Sequence, residues 1–262
     1  MSDGSGSGNP ASLFSMKNPV NFSMRHLVDG LARRLWPACC LCCGLPGDGD
    51  ADRDLCPACF AALPWNRHAC RRCALPLPAN GIDHICGACQ QRGSTSALAE
   101  THASFRYDAP LDRLLPRFKF HQSLAAGRVL SGLMSHALAD TAAASPSACL
   151  LPIPLHRRRL AERGYDQALE LTKPLARRLG LPLRCDLLRR QKSTRAQSRL
   201  DKQARQRNLR HAFAASTTQP MPAHIVLIDD VMTTGATLEA AAKALRRAGA
   251  TRIDAWVCAR VV

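Results

Sequence analysis

Long apolar runs and acidic residues are both scarce in this chain. No stretch reaches the roughly 18 apolar residues that a transmembrane helix needs, so we do not expect an integral membrane protein. Residues 1–24, MSDGSGSGNPASLFSMKNPVNFSM, lack the apolar core of a secretory signal, which favours the cytoplasm and its reducing conditions. Aromatic residues make up 5% of the chain, and 20 acids stand against 36 Lys and Arg, giving a net charge of +16.

The excess positive charge is concentrated between residues 156 and 210. This basic band contains 17 Lys or Arg and five Asp or Glu, whereas the rest of the chain is nearly balanced. Clustered Arg presents forked donors to phosphate, so a polyanion surface is favoured over a merely solvated helical face. Tyr165 and Phe213 are the only aromatic residues in or beside the band. The polyanion could be a pyrophosphate or a nucleic acid, and the two roles need not exclude each other. For a nucleic acid we expect contacts to the phosphate backbone rather than base readout.

Cysteine, in contrast, is abundant. Eight of the thirteen cysteines form four C-x-x-C pairs. A C-x-x-C turn brings two thiolates within reach of one tetrahedral ion, so four pairs supply the ligands of two zinc sites. Four thiolates leave no coordination position for water, and the metal is therefore expected to be structural. The predicted ligands are Cys40, Cys43, Cys56, Cys59, Cys70, Cys73, Cys86 and Cys89.

The residues alone leave alternatives for this segment. The cysteines could form disulfides, which require an oxidising compartment, or they could hold an iron–sulfur cluster. Cys39 and Cys42 offer a shifted first pair, and His68 or His84 could replace a cysteine ligand. The pairs could also combine sequentially or in an interleaved order.

The chain divides into four predicted regions: a disordered tail at 1–24, a short amphipathic helix at 25–37, a zinc module at 38–95 and a domain at 100–262. The zinc module contains too few large apolar residues for a core of its own, so a strong chelator is expected to unfold it. In the last region, strand and helix signals alternate, which predicts an α/β fold with a parallel sheet and helices on both faces. Strands are expected near 102–108, 149–155, 224–228 and 252–260, and helices near 110–119, 123–140, 160–180 and 237–248.

The run VLIDDVMTTGAT, at residues 226–237, is the most informative motif. It places Asp229 and Asp230 at the carboxyl end of a buried strand, where ligands of open α/β sheets bind. The small-residue turn that follows offers backbone N–H groups and a helix N-terminus to a phosphate. Gly235 permits positive φ or a close backbone approach. Adjacent acids suit ribose hydroxyls or a cation; the alternative interpretation is a strand–turn–helix unit with an acidic N-cap.

This run resembles the motif of type I phosphoribosyltransferases that binds phosphoribosyl pyrophosphate (PRPP). The resemblance implies that Asp229 and Asp230 hold the ribose and that the 5′-phosphate loop comprises Thr233, Thr234, Gly235, Ala236 and Thr237. It further implies Mg²⁺ bound with PRPP and displacement at the anomeric carbon. The candidates for the pyrophosphate loop and for a lid over the site are His156, Arg157, Arg158, Arg195, Gln197 and Arg207.

The cysteine pairs, PIPLHRRRLAERGYDQ, RAQSRLDKQARQRNL and VLIDDVMTTGATL occur in an order similar to that of the ComF family, over roughly residues 30–262. The resemblance implies a type I phosphoribosyltransferase fold behind a zinc finger. It also implies a role in uptake of single-stranded DNA or in nucleotide salvage, with competence proteins as partners. Asp166 replaces the Asn of the family motif R-G-[FY]-N-Q. The alternative function is a non-catalytic module that binds single-stranded DNA or proteins and keeps the nucleotide pocket as a relic.

Overall fold

Six strands and eight helices make up the part of the chain that the computed structural model describes, namely residues 39–46, 54–79, 84–93, 95–191, 212–216, 218 and 220–262. The strands are β1 Thr101–Arg106, β2 Cys149–Pro152, β3 Leu188–Arg190, β4 Phe213–Ala215, β5 His224–Met232 and β6 Arg252–Arg260. The helices are α1 Pro57–Ala61, α2 Gly87–Gln91, α3 Leu111–Phe120, α4 Leu124–Ala137, α5 Ala139–Ala143, α6 Arg157–Arg163, α7 Gln167–Leu179 and α8 Ala236–Arg247. The tail at 1–24 and the helix at 25–37 predicted above lie outside the described residues.

The central sheet has the strand order β1-β6-β5-β2, and all three pairings are parallel. Alternate residues of β5 face opposite sides: Val226 and Ile228 belong to one apolar cluster, Ile225 and Leu227 to another. Buried residues of α3, α4 and α7 lie in the first cluster, and those of α8 lie in the second. The predicted parallel sheet with helices on both faces is confirmed.

Two elements differ from the sequence-based expectation. The single helix predicted at 160–180 is wrong, because the segment forms α6 and α7 with a break between them. Gly164 ends α6 in the left-handed region, at φ +79°, and Asp166 caps the N-terminus of α7 through its carboxylate. The strand predicted at 224–228 continues to Met232, because the ladder with β6 extends to the pair Met232–Arg260.

A small antiparallel pair, β3 with β4, was not predicted from the sequence. Leu188 and Phe213 of this pair join the apolar cluster that α8 covers. Because the strands have three residues each, their apolar pattern is too short to be distinguished from that of a loop. The chain between them, residues 192–211, lies outside the described part.

The cysteine-rich segment packs directly on the sheet, and all described residues from Cys39 onward belong to one compact unit. Trp65 forms an antiparallel bridge with Phe105 of β1, and their rings lie 4.7 Å apart. Leu55 and Leu63 are buried in the same cluster as Phe105. The large apolar residues of this segment therefore contribute to the core of the α/β domain. The domain boundaries given above remain predictions.

Among the described residues, we find no helix that is both long enough and apolar enough to cross a lipid bilayer.

Candidate functional site

The two adjacent acids lie near the carboxyl end of the central strand β5. Asp230 is 7% exposed, and Lys119 from the last turn of α3 places its Nζ 2.9 Å from Asp230 Oδ2. The backbone N–H of Val231 donates to Asp230 Oδ1 at 2.7 Å, and that of Asp230 donates to Asp229 Oδ1 at 2.9 Å. Both carboxylates are thus held in fixed orientations at the sheet edge where ligands of such folds bind.

The protein environment disfavours the ionised form of Asp229. Burial, and secondarily the negative charge of Asp230, raise the pKa of Asp229 to about 7. A backbone N–H and the positive charges of Lys119 and Arg190 oppose this shift. Such a carboxyl group is partly protonated near neutral pH, and a cation that replaces the proton stabilises its ionised form.

The turn after β5 has the geometry expected of an anion-binding loop, which we name the phosphate loop (residues 233–237). Thr233 and Thr234 are exposed, and Gly235 precedes α8 with φ +75°. Its positive φ favours glycine, and a Cβ added at this position would lie 2.5 Å from Met232 Cε, so that the end of the Met232 side chain would have to shift. The loop lies at the N-terminus of a twelve-residue helix, where backbone N–H groups favour an anion.

The loop that follows β2 begins at the same edge of the sheet. Pro152 is paired with Ile228, so the chain leaves β2 next to the strand that carries the acids. His156 caps α6, its Nδ1 accepting the N–H of Arg158 at 3.2 Å, and Arg158 also forms an ion pair with Glu162. Arg157, the first residue of α6, is exposed. The lid candidates Arg195, Gln197 and Arg207 lie outside the described residues.

The eight paired cysteines form two groups of four thiols, and the ligand atoms of each group lie within 4.8 Å of one another. The first cluster is Cys40, Cys43, Cys56 and Cys59, and the second cluster is Cys70, Cys73, Cys86 and Cys89. Pairing is therefore sequential, and the first knuckle uses Cys40 and Cys43 rather than Cys39 and Cys42. Neither His68 nor His84 belongs to a cluster of this kind in the described residues.

The distances within the clusters fit a tetrahedral ion rather than disulfides. Cys43 Sγ lies 3.8 Å from Cys56 Sγ, and Cys73 Sγ lies 3.6 Å from Cys86 Sγ. Zinc–sulfur bonds of about 2.3 Å in a tetrahedron separate the sulfurs by about 3.8 Å, whereas a disulfide would bring them to about 2.05 Å. The residues thus fit structural zinc at both sites.

Backbone N–H groups favour the thiolate form at one ligand of each cluster, Cys40 and Cys70, whereas burial first and neighbouring thiols raise the pKa of Cys59, Cys73 and Cys89. Burial raises the pKa of Cys40, but N–H groups led by those of Cys43 and Cys56 outweigh it and bring the pKa down to about 6. The pKa of Cys70 is lowered to about 7 in the same way, and the N–H of Cys86 lies 3.3 Å from its sulfur.

Comparison with known proteins agrees with both parts of this geometry. Residues 31–90 match the family model described as a double zinc ribbon domain, and residues 166–261 match that of a phosphoribosyl transferase domain. Competence protein F of Haemophilus influenzae is 36% identical over 59% of this chain and 69% of its own length. The DNA utilization protein YhgH of Escherichia coli K12 is 30% identical over 79% of this chain and 91% of its own length. The chain belongs to the ComF family. Competence protein ComFC of Bacillus subtilis is a more distant ComF relative, 28% identical over 76% of this chain and 80% of its own.

Asp166, which departs from the ComF sequence motif, has a clear positioning role in this chain. Its Oδ1 accepts the N–H of Leu169 at 3.1 Å, and its Oδ2 accepts the N–H of Leu155 at 2.9 Å. The carboxylate thereby ties the loop after β2 to the N-terminus of α7. An asparagine could accept one of these bonds but would direct its NH₂ group at the other donor.

Sequence reasoning missed two cations beside the acids. Lys119 is carried by α3, which no sequence motif connects to β5. Arg190 of β3 stacks its guanidinium carbon 5.3 Å from the ring centre of Phe213. Burial and then the charge of Arg159 lower the pKa of Arg190, while Asp229 raises it, which places this guanidinium within electrostatic range of the site. The only available signal for Arg190 was its membership of the basic band.

Proposed function

We propose that this ComF protein binds PRPP, together with Mg²⁺, at the carboxyl edge of β5. The observation that carries the proposal is the juxtaposition of two oriented carboxylates with a glycine-containing loop at a helix N-terminus. Asp229 and Asp230 would hold the ribose hydroxyls, and the phosphate loop would hold the 5′-phosphate through its N–H groups. The match of residues 166–261 to a phosphoribosyl transferase domain supports this assignment.

The charges around the site suit a pyrophosphate ester. His156 to Arg158 follow the strand next to β5, and the positive charge of Arg190 acts on Asp229. Carboxylate oxygens are ligands that Mg²⁺ prefers, and the ion would neutralise charge on the pyrophosphate. Lys119 already contacts one Asp230 oxygen, so ligand binding would require Lys119 either to share that carboxylate or to move to a phosphate.

The expected reaction is transfer of the phosphoribosyl group to a nucleophile. The bond between the anomeric carbon and the pyrophosphate oxygen breaks, its electron pair leaves with pyrophosphate, and the acceptor forms a bond to that carbon. The role of the protein is chiefly electrostatic: carboxylates face the developing positive charge on the ribose, and Arg side chains face the leaving group. Because relatives are named for competence and DNA utilization, we infer that the product or ligand serves DNA uptake or reuse of nucleotides.

Calorimetric titration tests the ribose assignment. PRPP with Mg²⁺ is titrated into zinc-replete wild type, Asp230→Asn and the control Asp140→Asn, which changes an exposed acid of α5. We expect wild type and the control to bind equally and Asp230→Asn to lose at least tenfold in affinity. Unchanged affinity in Asp230→Asn would rule out the ribose assignment, and absence of binding in wild type would contradict the PRPP proposal itself.

The second candidate function is binding of single-stranded DNA through the basic band. It is favoured by the exposed Arg157 and Arg158 at the start of α6 and by the exposed Arg177 and Arg178 at the end of α7. Backbone contacts predict an affinity that falls steeply as salt rises. A gel shift on a labelled single strand over a salt series tests this, and a shift that does not depend on salt argues against it. Competence proteins remain proposed partners.

A further inference from the structure

Arg260, the last residue of β6, connects the second zinc cluster to the strand that leads into the phosphate loop. Its side chain is buried, and the residue is 8% exposed. The Nε atom donates to the carbonyl of Cys73 at 2.9 Å, and Nη1 donates to the carbonyl of Met232 at 3.3 Å. Nη1 also contacts the carbonyl of Val261. Cys73 is a ligand of the second cluster, and Met232 is the last residue of β5.

A buried guanidinium can hydrogen-bond to two backbone segments at once and hold them in a defined geometry. The planar fork fixes the directions of its N–H groups, so it holds two carbonyls in one relative position. Burying this charge is costly unless its N–H groups are hydrogen-bonded, so the observed arrangement depends on both carbonyls. The zinc knuckle and the end of β5 are thus coupled by one side chain.

Packing reinforces the same connection. Ala74, in the turn of the second cluster, and Met232 are buried in one apolar cluster. Met232 in turn lies against Gly235, because its Cε is 2.5 Å from the position that a Cβ of residue 235 would take. A shift of the Met232 backbone would move the side chain that abuts the phosphate loop. The path from metal site to loop therefore runs from Cys73 through Arg260 and Met232 to Gly235.

We infer that zinc at the second cluster sets the conformation of the phosphate loop through Arg260, so that Arg260 is a positioning residue for the ribose-phosphate ligand. The ligand part of this inference rests on the function proposed above. Coupling between two sites is reciprocal, so a ligand in the phosphate loop must also tighten zinc in the second cluster by the same factor.

The test uses the full zinc-loaded chain and the variants Arg260→Met and Arg260→Lys. Arg128→Met is the matched control, because Arg128 is an exposed Arg of α4. Hydrogen exchange of the 233–237 amides is measured in each protein, and zinc content is confirmed by metal analysis. We expect at least tenfold faster exchange in Arg260→Met, partial recovery in Arg260→Lys, and no change in the control, with two zinc ions retained in all.

Ligand measurements separate this inference from the function on which it rests. Ribose 5-phosphate is expected to bind Arg260→Met at least tenfold more weakly than wild type and to slow zinc release to a chelator in wild type only. Exchange at 233–237 that is unchanged in Arg260→Met, or that is unaffected when zinc is withdrawn from wild type, overturns the coupling. If exchange changes as expected but wild type binds neither PRPP nor ribose 5-phosphate, the coupling stands and the proposed function is rejected instead.

Discussion

Binding of Mg²⁺ with PRPP is expected to strengthen as the pH rises through about 7, because Asp229 must be ionised to accept a cation or ribose hydroxyls. Burial and the neighbouring charge of Asp230 raise the pKa of Asp229 from 3.8 to about 7. A carboxyl group with this pKa is about one-tenth ionised at pH 6 and about nine-tenths ionised at pH 8. The affinity should therefore rise about tenfold over this interval from Asp229 alone.

Calorimetry at constant ionic strength between pH 6 and pH 8 measures this dependence. The phosphate groups of the ligand also titrate near pH 6, so Asp229→Asn supplies the pH profile that the ligand alone produces. Between pH 6 and pH 8 the affinity of wild type is expected to rise by a factor about ten times larger than that of Asp229→Asn. Parallel profiles for the two proteins would refute the argument that Asp229 titrates within the site.

The same shift affects folding in the opposite direction. Between about pH 4 and pH 7 the native state holds a proton on Asp229 that the unfolded chain releases, so this group lowers the free energy of unfolding as the pH rises. From pH 5 to pH 8 the melting temperature of wild type should therefore fall relative to that of Asp229→Asn.

Three further predictions concern metal and backbone geometry. Because Leu63 of the zinc segment lies in the core of the α/β domain, chelation should lower the melting temperature of the whole unit; identical melts with and without zinc would contradict this. Gly235→Ala should cost about 1–3 kcal/mol in urea unfolding and weaken phosphate binding, since an L side chain is strained at φ +75°; wild-type stability would exclude the backbone-strain argument. Asp166→Asn should cost about 1–3 kcal/mol by leaving the Leu155 N–H without its acceptor, whereas an unchanged urea midpoint would show that another group accepts it.

The sequence was most informative where chemistry and spacing coincide. Four C-x-x-C pairs predicted two metal sites, but sequential pairing depends on how the segment folds, which spacing alone does not determine. β6 was predicted with its observed bounds, since Arg252–Arg260 is a continuous run with an apolar pattern of a buried strand. The break between α6 and α7 was readable from Gly164 and Asp166, a stop signal followed closely by a start signal.

The residues that could not be predicted are those brought to the site by tertiary packing. Lys119 reaches Asp230 because α3 packs on the face of the sheet next to β5, and no local pattern encodes that placement. Arg190 depends on a three-residue strand whose partner lies more than twenty residues further along the chain. Arg260 read as the polar end of a strand, and its two carbonyl partners belong to segments distant in sequence.

The way in which the zinc segment meets β1 has a consequence for solubility. β1 is the last strand on its side of the sheet, and an exposed strand edge is a template for pairing with another molecule. Here that edge is occupied: Arg106 donates its N–H to the carbonyl of Pro64, Asn66 donates to that of Ser104, and Thr101 donates to that of Arg71. The segment that satisfies these groups is itself held by cysteines, so metal depletion would free a row of backbone donors and acceptors. Zinc at these cysteines would thus also protect this protein against edge-to-edge aggregation, which light scattering of the metal-depleted form would detect.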